Sequence, residues 1–187
     1  HVYEILWQLG IPQVVFTGGE PTLREDIVRL VSEAEEFVTG LVTNGTKLVK
    51  LSEPLRDANL DYIQVTIESY DPKIHDKMTE VPGSHAMTTN GIQKALDVGL
   101  QVVTNTTLTK VNASDFVKTI RWLDSLGIKH LACNTLICSG RGVTYKKGEG
   151  LTDDKLGNIL KAACEEAGSL KVNLQWYSPT CYNQGIN

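Results

Sequence analysis

Short β-rich runs alternate with helical stretches along the whole chain, at roughly 25–40 residues per unit, the spacing that parallel crossovers need. Val14-Val15-Phe16 ends at Thr17-Gly18-Gly19. Thr22 and Glu25 then read as a capping box, followed by Leu23, Ile27, Leu30, Val31 and Ala34 at helical spacing. A second run, Leu41-Val42-Thr43, ends at Asn44-Gly45, and Leu48, Leu51 and Leu55 mark the next helix. The third strand, Tyr62 to Glu68, places Ile63, Val65 and Ile67 on one face and Gln64, Thr66 and Glu68 on the other. A helix around Ile92, Ala95 and Leu96 stops at Gly99. A β-branched strand runs from Val102 to Leu108. Asn112 caps a helix through Phe116, Ile120 and Leu123 that Gly127 ends. A strand from His130 to Ile137, a helix from Thr152 to Gly168 and a strand from Val172 to Trp176 complete the series.

The class is therefore α/β. Periodicity alone fits a barrel or an open doubly wound sheet. The third strand favours the barrel, because its polar face cannot pack against outer helices and must point into a lumen. Polar residues at the C-terminal ends of barrel strands are where such folds place their sites. No linker-like stretch divides the chain, and Ser139 through Gly150 reads as one long loop.

Composition excludes some functions. The net charge of -4 comes from 22 acids against 18 bases, with no basic patch for nucleic acid. No apolar run is long enough to span a bilayer. Cys133, Cys138, Cys164 and Cys181 match no common zinc or disulfide spacing. The expectation is reduced thiols in a cytosolic protein, with Cys181 left open. His75 and His85, with Asp71 and Asp76, fit no zinc pattern and read as a polar loop at a helix start. Tyr3, Trp7 and Phe16 read as packing aromatics.

Gly18-Gly19-Glu20-Pro21 is the sharpest chemical feature. Two glycines at a strand end let a ligand approach the backbone closely, and Pro21 fixes one φ angle without adding a donor. Such a ledge suits a zwitterionic amino acid, whose ammonium needs carbonyl or carboxylate acceptors. A plain strand-to-helix turn that uses glycines accounts for the four residues equally well.

The motif is not isolated: Thr43-Asn44-Gly45 closes the next strand, and Thr66 and Glu68 close the one after. This order, with Phe16-Thr17-Gly18-Gly19-Glu20-Pro21-Thr22-Leu23 as its closest part, resembles the radical S-adenosylmethionine superfamily over nearly the whole chain. The resemblance implies a partial (β/α)6 barrel of parallel strands over residues 1–176, lacking its first strand and cluster loop. It implies that Gly18, Gly19, Glu20 and Pro21 hold the methionine end of S-adenosylmethionine. Thr43, Asn44 and Thr66 would lie along the cofactor, and Glu68 would accept from the ribose hydroxyls, where many relatives have Asp. Asn105 resembles an Asn that faces the cofactor, with a satisfied core Asn as the competing reading. Arg141 resembles an Arg that clamps the methionine carboxylate, with a solvated loop Arg competing.

The family signature, Cys-x3-Cys-x2-Cys, holds a [4Fe–4S] cluster in the loop after the first strand. Only Val2 to Leu9 precede the run at Val14, which fits the tail of the helix after that loop. The resemblance therefore places the cluster ligands upstream of His1. Residues 177–187 resemble the start of a cysteine-rich extension, with Cys181 a weak candidate for an auxiliary-cluster ligand. The implied reaction is reductive cleavage of S-adenosylmethionine to a 5′-deoxyadenosyl radical that abstracts a substrate hydrogen, in peptide modification or cofactor biosynthesis. The implied partners are a small-molecule or peptide substrate and an electron donor such as flavodoxin or ferredoxin. The alternative is a non-catalytic cofactor-binding or scaffold module on a degenerate barrel.

Overall fold

The computed structural model describes residues 2–136 and 150–177. Arg141, Cys138, Cys181 and Ile137 lie outside the described residues. In chain order the elements are α1 (Val2–Gln8), β1 (Gln13–Phe16), a 3-10 turn (Pro21–Leu23), α2 (Ile27–Ser32), β2 (Val38–Thr43), α3 (Leu48–Asp57) and β3 (Tyr62–Thr66). There follow α4 (Pro72–Thr79), α5 (Ser84–Asp97), β4 (Gln101–Leu108), a 3-10 turn (Ala113–Asp115), α6 (Phe116–Ser125), β5 (His130–Thr135), α7 (Asp153–Leu170) and β6 (Asn173–Trp176). The strands form one parallel six-stranded sheet in the order β1-β2-β3-β4-β5-β6, so β1 and β6 are its edges and the sheet is not closed. Strand order equal to chain order is what successive crossovers of one hand produce.

The chain divides into two compact units, one of His1–Thr66 with Ser84–Val103, the other of Ile67–Gly83 with Thr104–Asn187. In the first, Leu41, Ile63 and Val65 of the sheet are fully buried, as are Leu48, Leu55, Ile92 and Ala95 of the helices. Pair α3 and α5 pack together there. Tyr3 and Trp7 of α1 pack against Phe37, tilted and edge-on, with centroids at 5.9 and 5.7 Å, the packing role expected of them. In the second unit α6 packs on α7, and Phe116, Ile120, Leu123, Leu156, Leu160 and Ala163 are buried with Leu131 and Cys133 of β5.

Several local signals resolve differently. Thr22 is not a helix N-cap: Glu20 caps the 3-10 turn at Pro21–Leu23, Leu23 is 65% exposed, and α2 begins only at Ile27. Asn112 precedes a 3-10 turn but makes no cap bond, its amide being used elsewhere. Helix α7 runs past Gly168 to Leu170 and ends on Lys171 in the left-handed conformation (φ 55°). Residues 72–79, read as loop, form α4, with Pro72 at its first turn and the Asp71 carboxylate accepting from Lys73 N–H. Gly99 and Gly127 take positive φ (84° and 92°) after α5 and α6, as C′ glycines do.

Candidate functional site

In the first unit, the ends of β1 and β2 are joined through one carboxylate. Glu20 Oε1 accepts from Thr22 N–H (3.1 Å), Thr22 Oγ1 (2.5 Å) and Thr43 Oγ1 (2.6 Å), and Oε2 accepts from Asn44 N–H (2.8 Å). Where a ladder stops, backbone amides lose their partners, and Glu20 satisfies two of them. Thr43 Oγ1 also accepts from Gly45 N–H (3.1 Å), so this buried hydroxyl serves the turn on both sides. Asn44 is likewise committed: its Oδ1 accepts from Thr46 N–H (3.0 Å) and Oγ1 (2.8 Å), and its carbonyl accepts from Thr88 Oγ1 (2.8 Å).

This framework leaves Gly18 and Gly19 bare. A Cβ built on either would meet nothing within 4 Å, and Gly18 adopts φ 141°, which L side chains rarely take. Gly45 is tight instead. A Cβ there would lie 2.8 Å from Val65, and a Cβ on Gly91 of α5 would lie 2.2 Å from the Gly45 carbonyl oxygen. Gly91, which the sequence reading passed over, lets α5 touch the backbone of the Thr43-Asn44-Gly45 turn. Pro21 is buried at the first position of the 3-10 turn. Thr66, last in β3, is half-buried, and its hydroxyl has no hydrogen-bond partner among the described residues.

In the second unit the chain leaving β3 is held by side chains. Ile67 N–H still bonds the Asn105 carbonyl (3.0 Å), while Thr106 Oγ1 donates to the Ile67 carbonyl (2.6 Å). Glu68 N–H donates to Nδ1 of His75 (3.1 Å), and Asn112 Nδ2 donates to the carbonyls of Glu68 (2.8 Å) and Thr107 (2.9 Å). Glu68 Oε2 accepts from Thr107 N–H (2.8 Å), while no described residue donates to Oε1. Burial pushes the Glu68 carboxyl up to about 7, against the opposing pull of the Thr107 amide. Asn105 is 7% exposed, and its Oδ1 has no hydrogen-bond partner among the described residues. A buried amide oxygen left unpaired is uncommon and calls for a donor.

His75 and Asn112 are the functional-site candidates that residue patterns concealed. His75 is 1% exposed, inside α4 rather than in a loop. Among the described residues no group of three His, Cys, Asp or Glu could hold a metal. Cys133 is buried and free, and desolvation pushes its thiol up to about 12, unlike a ligating thiolate. No helix among the described residues is long and apolar enough to cross a membrane.

Comparison with known proteins agrees with this geometry. Residues 1–123 match the Radical SAM superfamily. A probable GTP 3',8-cyclase of Sulfurisphaera tokodaii is 30% identical over 179 residues, covering 94% of this chain and 56% of that protein. A probable GTP 3',8-cyclase of Thermococcus kodakarensis is 39% identical over 105 residues, 55% of this chain and 34% of that protein. The chain thus spans between a third and little more than half of the length of these curated relatives. The crystal structure of Streptococcus suis SuiB bound to S-adenosylmethionine shares the fold, with a TM-score of 0.77 over 97% of this chain and 41% of that one, at 16% identity. The chain belongs to the radical SAM superfamily, whose members use S-adenosylmethionine and a [4Fe–4S] cluster.

Proposed function

We propose that this chain supplies the cofactor-holding part of a radical S-adenosylmethionine enzyme, with Gly18 and Gly19 as the backbone ledge for the methionine end. The observation that carries this reading is the open space over both glycines beside a turn that Glu20 braces in place. Glu20 and Thr43 then act by shaping the ledge, since the brace occupies the Thr43 hydroxyl and brings three donors to Glu20 Oε1 and one to Oε2. Pro21 stiffens the same turn. Asn44 contributes its backbone to the brace, and Thr66 offers a hydroxyl.

In the second unit, Glu68 Oε1 and Asn105 Oδ1 are acceptors suited to donors such as ribose hydroxyls. Arg141 is proposed from the resemblance alone as the partner of the methionine carboxylate. The cofactor, with its cluster and a reductant, supplies a 5′-deoxyadenosyl radical that removes a hydrogen atom from the substrate. The residues of this chain bind and orient the cofactor and keep water from it. The cluster ligands come from outside the described residues. The electron donor is a flavodoxin or ferredoxin. The names of the curated relatives make GTP the first substrate to test, with a peptide as the second.

The test is anaerobic reconstitution of the full-length protein with iron and sulfide, then reduction with S-adenosylmethionine present. We expect iron–sulfur absorbance and release of 5′-deoxyadenosine, and deuterium transfer from labelled GTP if GTP is the substrate. Cofactor binding without an iron–sulfur spectrum or cleavage would overturn the enzyme reading in favour of a binding module.

A further inference from the structure

The segment after β3 is a loop whose backbone is satisfied almost entirely by side chains. The Ile67 carbonyl is taken by Thr106 Oγ1, Glu68 N–H by His75 Nδ1, and the Glu68 carbonyl by Asn112 Nδ2. Tyr70 N–H donates to Thr119 Oγ1 (3.2 Å) and Asp71 N–H to Ser69 Oγ (3.1 Å). Within this arrangement residue 68 is gripped on both sides of its Cα. His75 fixes its amide, Asn112 fixes its carbonyl, and Thr107 N–H takes one carboxyl oxygen at 2.8 Å. Asn112 does more than hold one point. Its Nδ2 spans the Glu68 and Thr107 carbonyls, and its Oδ1 accepts from Thr109 N–H (2.9 Å), so it welds the loop to the end of β4. The backbone of residue 68 is thus fixed on both sides, and the Thr107 bond to Oε2 leaves Oε1 free.

We infer that His75 is a positioning residue for Glu68: it orients the free carboxyl oxygen through the Glu68 amide and touches no ligand itself. The inference rests on the reading of Glu68 as a cofactor-binding group. The geometry gives a buried histidine in α4 a use, because its Nδ1 supplies the acceptor for Glu68 N–H. Asp71 caps the same helix, and Asp76 Oδ2 accepts from Gly83 N–H (2.6 Å), so the polar cluster around His75 anchors α4 rather than a metal. Losing one neutral hydrogen bond from the grip is worth about tenfold in affinity if the lost order falls on the ligand group.

His75→Asn and His75→Gln separate the acceptor from general polarity. Asn keeps an oxygen at the δ position, and Gln moves it to ε. By calorimetry on the full-length protein with S-adenosylmethionine under non-reducing conditions, we expect His75→Asn to bind as wild type and His75→Gln to bind about tenfold more weakly. Adding His75→Gln to Glu68→Gln should cost nothing further, since the group it positions is already changed. A His75→Gln affinity equal to that of His75→Asn, or a loss fully additive with Glu68→Gln, would overturn the inference. If Glu68→Gln alone leaves affinity unchanged, the cofactor reading of Glu68 falls instead. The positioning role is then decided by the 13C resonance of the Glu68 carboxyl, which should shift in His75→Gln and stay in place in His75→Asn. An unmoved resonance in His75→Gln would overturn it.

Discussion

Replacing Glu68 by Gln should remove a pH dependence from the stability of the protein. The carboxyl is pushed up to about 7 in the folded state, from the model-peptide value of 4.5, because its surroundings desolvate the charged form. The folded chain therefore holds this proton more tightly than the unfolded chain between pH 4.5 and about 7. Stability from this group is fully present below 4.5 and is lost as pH rises through about 7. The difference of roughly 2.5 units corresponds to about 3 kcal/mol. Gln is neutral at every pH, keeps a carbonyl oxygen for Thr107 N–H, and has nearly the same volume. The assay is chemical denaturation of the full-length, cofactor-free protein at intervals from pH 5 to 8, wild type against Glu68→Gln. Carboxylates such as Asp26, Glu53 and Glu166, lowered by their basic partners, titrate in both proteins and cancel in the comparison. The stability of the variant relative to wild type should rise by about 2.5 kcal/mol between pH 5 and pH 8. A stability difference that stays constant across that range would refute the argument that burial holds the proton.

The remaining predictions concern glycines. Gly19→Val adds a side chain to space that no protein atom fills within 4 Å, so we expect S-adenosylmethionine binding to weaken at least tenfold by calorimetry while the melting temperature is unchanged; equal affinity would remove the ledge. Gly91→Ala forces a Cβ to within 2.2 Å of the Gly45 carbonyl oxygen, so α5 must shift; a loss of about 1–3 kcal/mol in chemical denaturation is expected, and an unchanged midpoint would show that the contact relaxes freely.

The elements that residue patterns located correctly are those governed by one local rule. The alternation of Ile63, Val65 and Ile67 with Gln64, Thr66 and Glu68 survives intact: the first three are fully buried and the others only partly so. Gly99 and Gly127 end their helices because only a residue without Cβ takes positive φ easily. Helix α4 escaped notice because its buried face is a histidine bonded to the backbone rather than an apolar stripe. What misled the expectation of helix caps at Thr22 and Asn112 is common to both. Small polar side chains near strand ends look like helix caps or ligand contacts, since the same groups serve both purposes. Here Thr22 and Thr43 donate to the Glu20 carboxylate, Thr43 also accepts from the Gly45 amide, and Asn112 donates to the Glu68 and Thr107 carbonyls.

That demand changes what the Gly-Gly-Glu-Pro motif means. A carboxylate at position 20 is already explained by the four donors it receives from Thr22, Thr43 and Asn44, without any ligand. The two glycines are not fixed by side-chain contacts of that kind. Neither is crowded by protein, and φ 141° at Gly18 is a conformation that costs chain entropy to fix. Within the motif, then, Glu20 has structural service whether or not a ligand is bound, and the open space at the two glycines is what the proposed ledge rests on. Substitutions at Glu20 report on the brace as well as on the ledge, which is why Gly19 is the position that isolates binding from folding.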